Sequence, residues 1–193
     1  MMSNLFNKAY KVLIEHEGGY GFDPDDNGGE TYKGIAKNFN MNWEGWELIY
    51  IAIDKLRLRG IKKLTNTIIT EELDSNKELS KLVEKFYYNK YWRPLRLNRI
   101  YDNTLVLALF DKGVNMGIRQ TVKLLQRALN TLGSKLIEDG FLGNATIKEI
   151  NKYSRYKGIV LKSYKGELYG FYKMLRNRNK KYVKFIKGWI RRI

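Results

Sequence analysis

A mainly α-helical fold is what this 193-residue sequence predicts, and three observations predict it. Apolar residues return at steps of three and four through most segments, the spacing that lines one face of a helix. Alternation of period two, the mark of a half-buried strand, is scarce. Only two prolines fall in the chain, so helices can run without interruption.

The first helix is expected from about Ser3 to Glu17, where Leu5, Phe6, Ala9, Tyr10 and Leu13 form an apolar stripe that Gly18 and Gly19 end. This places Glu17 in the last helical turn. The partial negative charge there, with carboxylates and the rings of Tyr20 and Phe22 close by, favours a carboxyl that keeps its proton. A glycine-rich loop or small hairpin follows, carrying Asp23, Asp25, Asp26 and Glu30 before Thr31 and Gly34.

Beyond the loop, Trp43, Trp46, Ile49, Tyr50 and Ile53 mark a second helix, and Leu79, Leu82, Val83, Phe86 and Tyr87 a third. Leu105 to Met116 and the series Val122, Leu125, Leu129, Leu132 make two more, with Gly117 as the break. Asp139-Gly140 reads as a turn and Asn144 as the N-cap of a short helix. The last third holds two amphipathic helices on either side of Asn177 to Asn179. One carries Leu161, Tyr164, Leu168, Phe171 and Leu175, the other Tyr182, Phe185, Trp189 and Ile193.

Composition narrows the function classes. There is no cysteine, which excludes a disulfide framework and a cysteine nucleophile. No zinc-ligand spacing occurs, and the single histidine, His16, lacks partners for a metal site; a surface or structural role is expected for it. Neither a signal h-region nor a membrane-length apolar run is found, so the expectation is synthesis in the cytoplasm without a signal peptide and assisted release. The net charge of +16 is uneven: Asn151 to Ile193 holds fourteen Lys or Arg against Glu167 alone. Such a field draws polyanions, whether wall polymers, lipid head groups or nucleic acid, and it is equally the charged face of ordinary solvated helices.

Glycosidic cleavage uses two carboxyl groups, one protonated to assist the leaving oxygen and one ionised to activate water or stabilise the oxocarbenium-like transition state. Glu17 and Asp26 can divide those roles, with the Thr31 hydroxyl orienting water or substrate. For Asp26, and more so for Asp23 and Asp25, capping a turn is an equal alternative. An EF-hand reading of the acidic run fails on ligand offsets. Asp111 and Asn115, one helical turn apart, either face a groove or satisfy backbone groups at a packing site. Tyr20, Tyr32, Trp43 and Trp92 are candidate sugar-stacking rings, Trp43 and Trp46 leaning toward the core.

The stretch Glu17-Gly18-Gly19-Tyr20, Asp23-Pro24, Asp26, Gly28-Gly29, Thr31 and Gly34-Ile35 resembles the catalytic motif of the glycoside hydrolase family 108 N-acetylmuramidases, which are lysozyme-like. Tyr91-Trp92-Arg93-Pro94-Leu95 resembles the aromatic-proline segment that closes that family's catalytic region. Phe110-Asp111, Val114-Asn115, Gly117, Leu125-Gln126, Ala128-Leu129, Asp139-Gly140, Gly143 and Thr146 are similar to its peptidoglycan-binding region, and Phe185 to Arg192 to its ending. The resemblance implies a lysozyme-like helical fold with a muramidase region over 1–98 and a helical peptidoglycan-binding region over 99–193, packed as one unit. It maps Glu17 to the catalytic glutamate. The order Glu17, Asp26, Thr31 also resembles the Glu-Asp-Thr arrangement of phage-type lysozymes, with one residue fewer between the Asp and the Thr.

The expected activity is hydrolysis of the β-1,4 bond between N-acetylmuramic acid and N-acetylglucosamine, without cofactor or metal. Glu17, Asp26 and Thr31 are the catalytic group, and Tyr20, Tyr32, Asp111 and Asn115 contact substrate. Peptidoglycan is the expected partner, with anionic wall polymers drawn to the basic C-terminal region and nucleic acid disfavoured. The biological setting is a phage endolysin or a secretion-associated wall-opening enzyme. The rival reading is a non-catalytic protein that grips glycan or nucleic acid on the same scaffold.

Overall fold

A computed structural model describes residues 3–23 and 26–193, apart from the Lys181 side chain. Pro24 and Asp25 of the acidic loop lie outside the described residues. The fold is mainly α, and the chain divides into two compact units, residues 1–90 and 91–193. The division falls ahead of the 98/99 boundary that the sequence suggests, inside a π-helical turn, Tyr88–Trp92.

In the first unit, helix α1 (Asn4–Ile14) is capped by Ser3, whose hydroxyl accepts from Phe6 N at 3.2 Å, and it buries Phe6, Ala9 and Leu13. It ends three residues short of Glu17. After Ile14 the amides turn to nearer carbonyls, His16 N to Leu13 O at 3.0 Å and Glu17 N to Ile14 O at 3.3 Å. Glu17 thus sits in a turn beyond the helix, which corrects the expected boundary.

A three-stranded antiparallel sheet follows: β1 (Tyr20–Gly21), β2 (Thr31–Tyr32) and β3 (Ile35–Ala36). Tyr20 pairs with Tyr32, Gly21 with Thr31, and Thr31 with Ala36. Lys33 and Gly34 join β2 to β3 with φ of 45° and 73°, the doubly positive turn that matches strand twist in a two-residue hairpin. Two residues per strand are too few for alternation to register in the sequence.

Helices α2 (Gly45–Leu58), α3 (Asn66–Asp74) and α4 (Lys77–Tyr87) complete the first unit. Trp43 stands just ahead of α2 rather than in it, edge-on to Trp46 at 5.4 Å between ring centroids. Helix α3 has no counterpart in the sequence reading. It is short, capped by Thr65, and buries only Ile69 and Leu73.

The second unit holds α5 (Asn103–Met116), α6 (Ile118–Thr131), α7 (Asn144–Lys152), α8 (Ile159–Arg178) and α9 (Ile186–Arg191). Gly117, at φ 84°, separates α5 from α6 as expected. Helix α6 packs along α8 and α5 around Leu105, Leu109, Leu125, Leu129, Tyr164 and Leu168, all buried. Two expectations change. Asn144 is the first residue of α7, with Gly143 as its cap, and its side-chain oxygen accepts from Arg99 at 2.7 Å. Tyr182 belongs to a 3₁₀ turn, Lys180–Lys184, ahead of α9. Among the described residues no helix is long and apolar enough to cross a membrane.

Candidate active site

The site forms where the turn after α1 meets the β2–β3 hairpin. Gly34 has its Cα face against the Glu17 carboxyl and the Tyr87 hydroxyl, so a Cβ there would collide with both. Tyr87, buried on α4, donates from Oη to Lys33 O at 2.7 Å and so fixes the height of the turn. Glu17 itself is half-buried. A glycine at this position both adopts the positive φ and leaves room for the carboxyl.

The hairpin is held from two sides. On one, Tyr32 is 1% exposed and its hydroxyl donates to Asp74 at 2.9 Å, while Lys33 pairs with the same carboxylate at 3.0 Å. On the other, the Glu30 carboxylate accepts from Tyr20 Oη at 2.6 Å, from Lys37 Nζ at 2.9 Å and from Tyr50 Oη. Burial alone would raise the Glu30 pKa, but the hydrogen bonds from Tyr20, Tyr50 and Lys37 outweigh it and hold the carboxyl below its ordinary value. Glu30 is therefore an ionised clamp joining β1, the segment after β3, and α2. Gly19 lies against Thr70, whose Oγ1 accepts from Tyr20 N at 2.9 Å, tying the start of β1 to α3.

Asp26 is exposed, and its Oδ1 accepts from Gly28 N at 2.8 Å while its carbonyl accepts from Gly29 N at 3.0 Å. That is the turn-capping geometry left open in the sequence. Thr31, half-buried on β2, makes a 3.4 Å contact from Oγ1 to Gly29 O. Strand alternation turns it to the sheet face opposite Tyr32.

Several expected ring contacts do not survive. Tyr32 faces the core and offers no ring to a sugar. Trp92 is 1% exposed, its Nε1 donating to Asn98 Oδ1 at 2.9 Å and its ring set edge-on to Phe110. Tyr20 is half-buried, with its hydroxyl committed to Glu30. His16 is at the surface.

Asp111 and Asn115 lie on α5 in the second unit. The Asp111 carboxylate pairs with Lys112 at 2.9 Å and with Arg192, and it accepts from Asn115 Nδ2 at 3.0 Å. Lys112, 2% exposed, also donates to Arg192 O at 2.6 Å. This cluster fastens the end of the chain to α5, so Asp111 is a packing residue and not a free groove-lining carboxylate. Asn115 remains exposed.

Residues 10–117, more than half of the sequence, match the family Glycosyl hydrolase 108. The chain belongs to that family. It is a glycoside hydrolase, and the match of residues 120–193 to the Predicted Peptidoglycan domain makes the hydrolase one that acts on peptidoglycan. No curated protein matches the sequence. Among solved structures, that of Brucella abortus SagA has the same fold, with a TM-score of 0.60 at 20% identity, covering 97% of this chain and 88% of that one.

The sequence pointed to Glu17 through the glycine break that follows it. It did not point to Glu30, Tyr50, Thr70 or Tyr87, whose roles depend on partners that only the fold brings together. Glu30 stood in view beside Thr31, but nothing local distinguishes a clamp from a solvated glutamate.

Proposed function

We propose that this hydrolase cleaves the β-1,4 bond between N-acetylmuramic acid and N-acetylglucosamine with Glu17 as its general acid. The observation that carries the reading is the seat of the Glu17 carboxyl, half-buried against Gly34 and Tyr87 within the family-matching segment. A half-buried carboxyl held at a fixed position suits a general acid, which must meet the glycosidic oxygen at hydrogen-bond distance.

In the reaction Glu17 gives its proton to the leaving oxygen as the bond to the anomeric carbon breaks. Asp26, exposed and with one oxygen on Gly28 N, accepts a proton from a water that attacks the opposite face of the ring. Thr31 orients that water. The product is inverted at the anomeric carbon, because the carboxylate acts through water and forms no covalent bond to the sugar. In the second unit, Asn115 is exposed on α5 and contacts glycan bound to that unit.

The setting is wall opening, by an endolysin or a secretion-associated enzyme released from the cytoplasm with holin or secretion-system help. Lysis of an expressing culture only when a holin is co-expressed supports the former; lysis that instead depends on a secretion system supports the latter. For the chemistry, Glu17→Gln keeps the shape of the side chain and removes its acidity. Clearing of a wall suspension is expected to fall at least about a hundredfold, with an unchanged melting temperature. Clearing at the wild-type rate by the folded variant overturns the assignment.

A further inference from the structure

A second feature of the first unit lies outside the Glu17 site. The segment after β3 and α4 border two adjoining open hollows, of about 440 and 300 Å³, which share Asn42, Trp43 and Phe86. Phe39 and Met41 stand at the rim, 69% and 72% exposed. Trp43 and Phe86 meet edge-to-face at 6.1 Å and line both hollows. The rim is anchored: Asn40 Nδ2 donates to Ala36 O at 2.7 Å, and Lys90 Nζ donates to Asn40 Oδ1 at 2.6 Å. Among the described residues the amides of Asn42 and Asn89 make no side-chain hydrogen bond.

We infer that this trough binds the glycan strand of peptidoglycan, as an acetamido-sugar site additional to the residues around Glu17. The inference rests on the reading of the chain as a peptidoglycan hydrolase. Aromatic faces cover the C–H faces of pyranose rings, and primary amides pair with both the N–H and the carbonyl of an acetamido group. Two adjoining hollows with rings common to both suit a polymer of repeating rings better than one small ligand. The lining carries Lys85 and Lys90 against Glu44, with Lys85 3.5 Å from Glu44 and Lys90 bonded to Asn40, so a single excess positive charge faces the trough, far short of the cationic lining a nucleic acid would need. Rings set beside amides favour the sugars over the stem peptides, whose carboxylates would select cations. The trough also begins two residues past β3, at Asn38, on the chain that leaves the Glu17 hairpin.

The test is binding, so that it does not depend on which residue is the acid. Peptide-free glycan strands and, separately, free stem peptides are titrated by calorimetry into Glu17→Gln protein with and without Phe39→Ala and Asn42→Ala, two exposed positions whose truncation leaves the core intact. The expected result is a loss of about tenfold in glycan affinity for the double variant at an unchanged melting temperature, and no stem-peptide binding. Affinity within twofold of the parent, absence of glycan binding by the parent, or binding of the stem peptide alone overturns the inference. Should the double variant melt lower, Asn42→Ala alone gives the same comparison. Cleavage of the strands by Glu17→Gln protein would overturn the acid assignment instead, and N-acetylglucosamine tetramer, titrated at low temperature, then reads the trough by itself.

Discussion

Gly34 is the residue on which the site's geometry turns. Its φ of 73° is open to glycine and costly to any residue with a Cβ, and that Cβ would occupy the space of the Glu17 carboxyl and the Tyr87 hydroxyl. Gly34→Ala is expected to remain folded with a lower melting temperature and to lose about a hundredfold in wall clearing, because a shift of about 1 Å at a reacting group has that effect. Clearing within a few-fold of wild type would show that the Glu17 seat tolerates displacement. Asp26 poses a different question, since the same oxygen can cap a turn and serve the reaction. Asparagine accepts from Gly28 N as aspartate does but cannot take a proton from water. If Asp26 is the base, Asp26→Asn and Asp26→Ala lose activity alike, by about a hundredfold or more. If it only caps the turn, Asp26→Asn stays active and Asp26→Ala alone loses stability. The sequence offered both roles for Asp26 because Asx turns and catalytic carboxylates occupy the same glycine-rich contexts.

At the scale of elements, the hairpin is held by side-chain hydrogen bonds and ion pairs more than by its own pairing, which is only two residues per strand. Glu30 joins β1, the segment after β3, and α2. Its folded pKa lies below the ordinary 4.5, so its stabilisation is complete above about pH 4.5 and is lost as the pH falls from there through the folded value. Urea unfolding measured from pH 7 down to pH 3 should show stability declining below about pH 4.5. Glu30→Gln is expected to be less stable by roughly 1–3 kcal/mol at pH 7 and to decline less steeply in that window. Parallel pH profiles for the two proteins would remove Glu30 from this role. The helices were legible because their apolar stripes are long: α1, α2, α4, α5, α6 and α8 stand close to where the periodicity puts them. Helix α3 was missed because two buried side chains in nine residues make no stripe, and the end of α1 was overextended because nothing in Ile14 to Glu17 signals the change of hydrogen-bond partner ahead of Gly18. The clamp was illegible because Tyr20, Lys37 and Tyr50 reach Glu30 from three different elements, and no spacing of 7, 10 or 20 residues marks side chains that will meet.

Across the whole molecule, charge is the coarsest signal. The fourteen Lys and Arg of Asn151 to Ile193 are confined to the second unit, within the segment that matches the peptidoglycan domain. We propose that they draw the enzyme to anionic wall polymers. Initial binding to walls rich in such polymers should weaken several-fold between about 0.05 and 0.5 M salt, as the Debye length shrinks from above to below about 10 Å, and much less on walls stripped of them. Equal salt dependence on both walls would leave the charge to solubility alone. Fold class and family were legible in the sequence because each is distributed over many residues, whereas the seat of a single carboxyl is not. The central claim, that Glu17 protonates the oxygen leaving N-acetylmuramic acid, is tested most directly by digesting purified peptidoglycan, reducing the new ends with borohydride and identifying them by mass spectrometry. The account predicts reduced muramic acid ends from the wild-type enzyme and none from Glu17→Gln. Reduced glucosamine ends, or muramic acid ends produced equally by the folded variant, would contradict it.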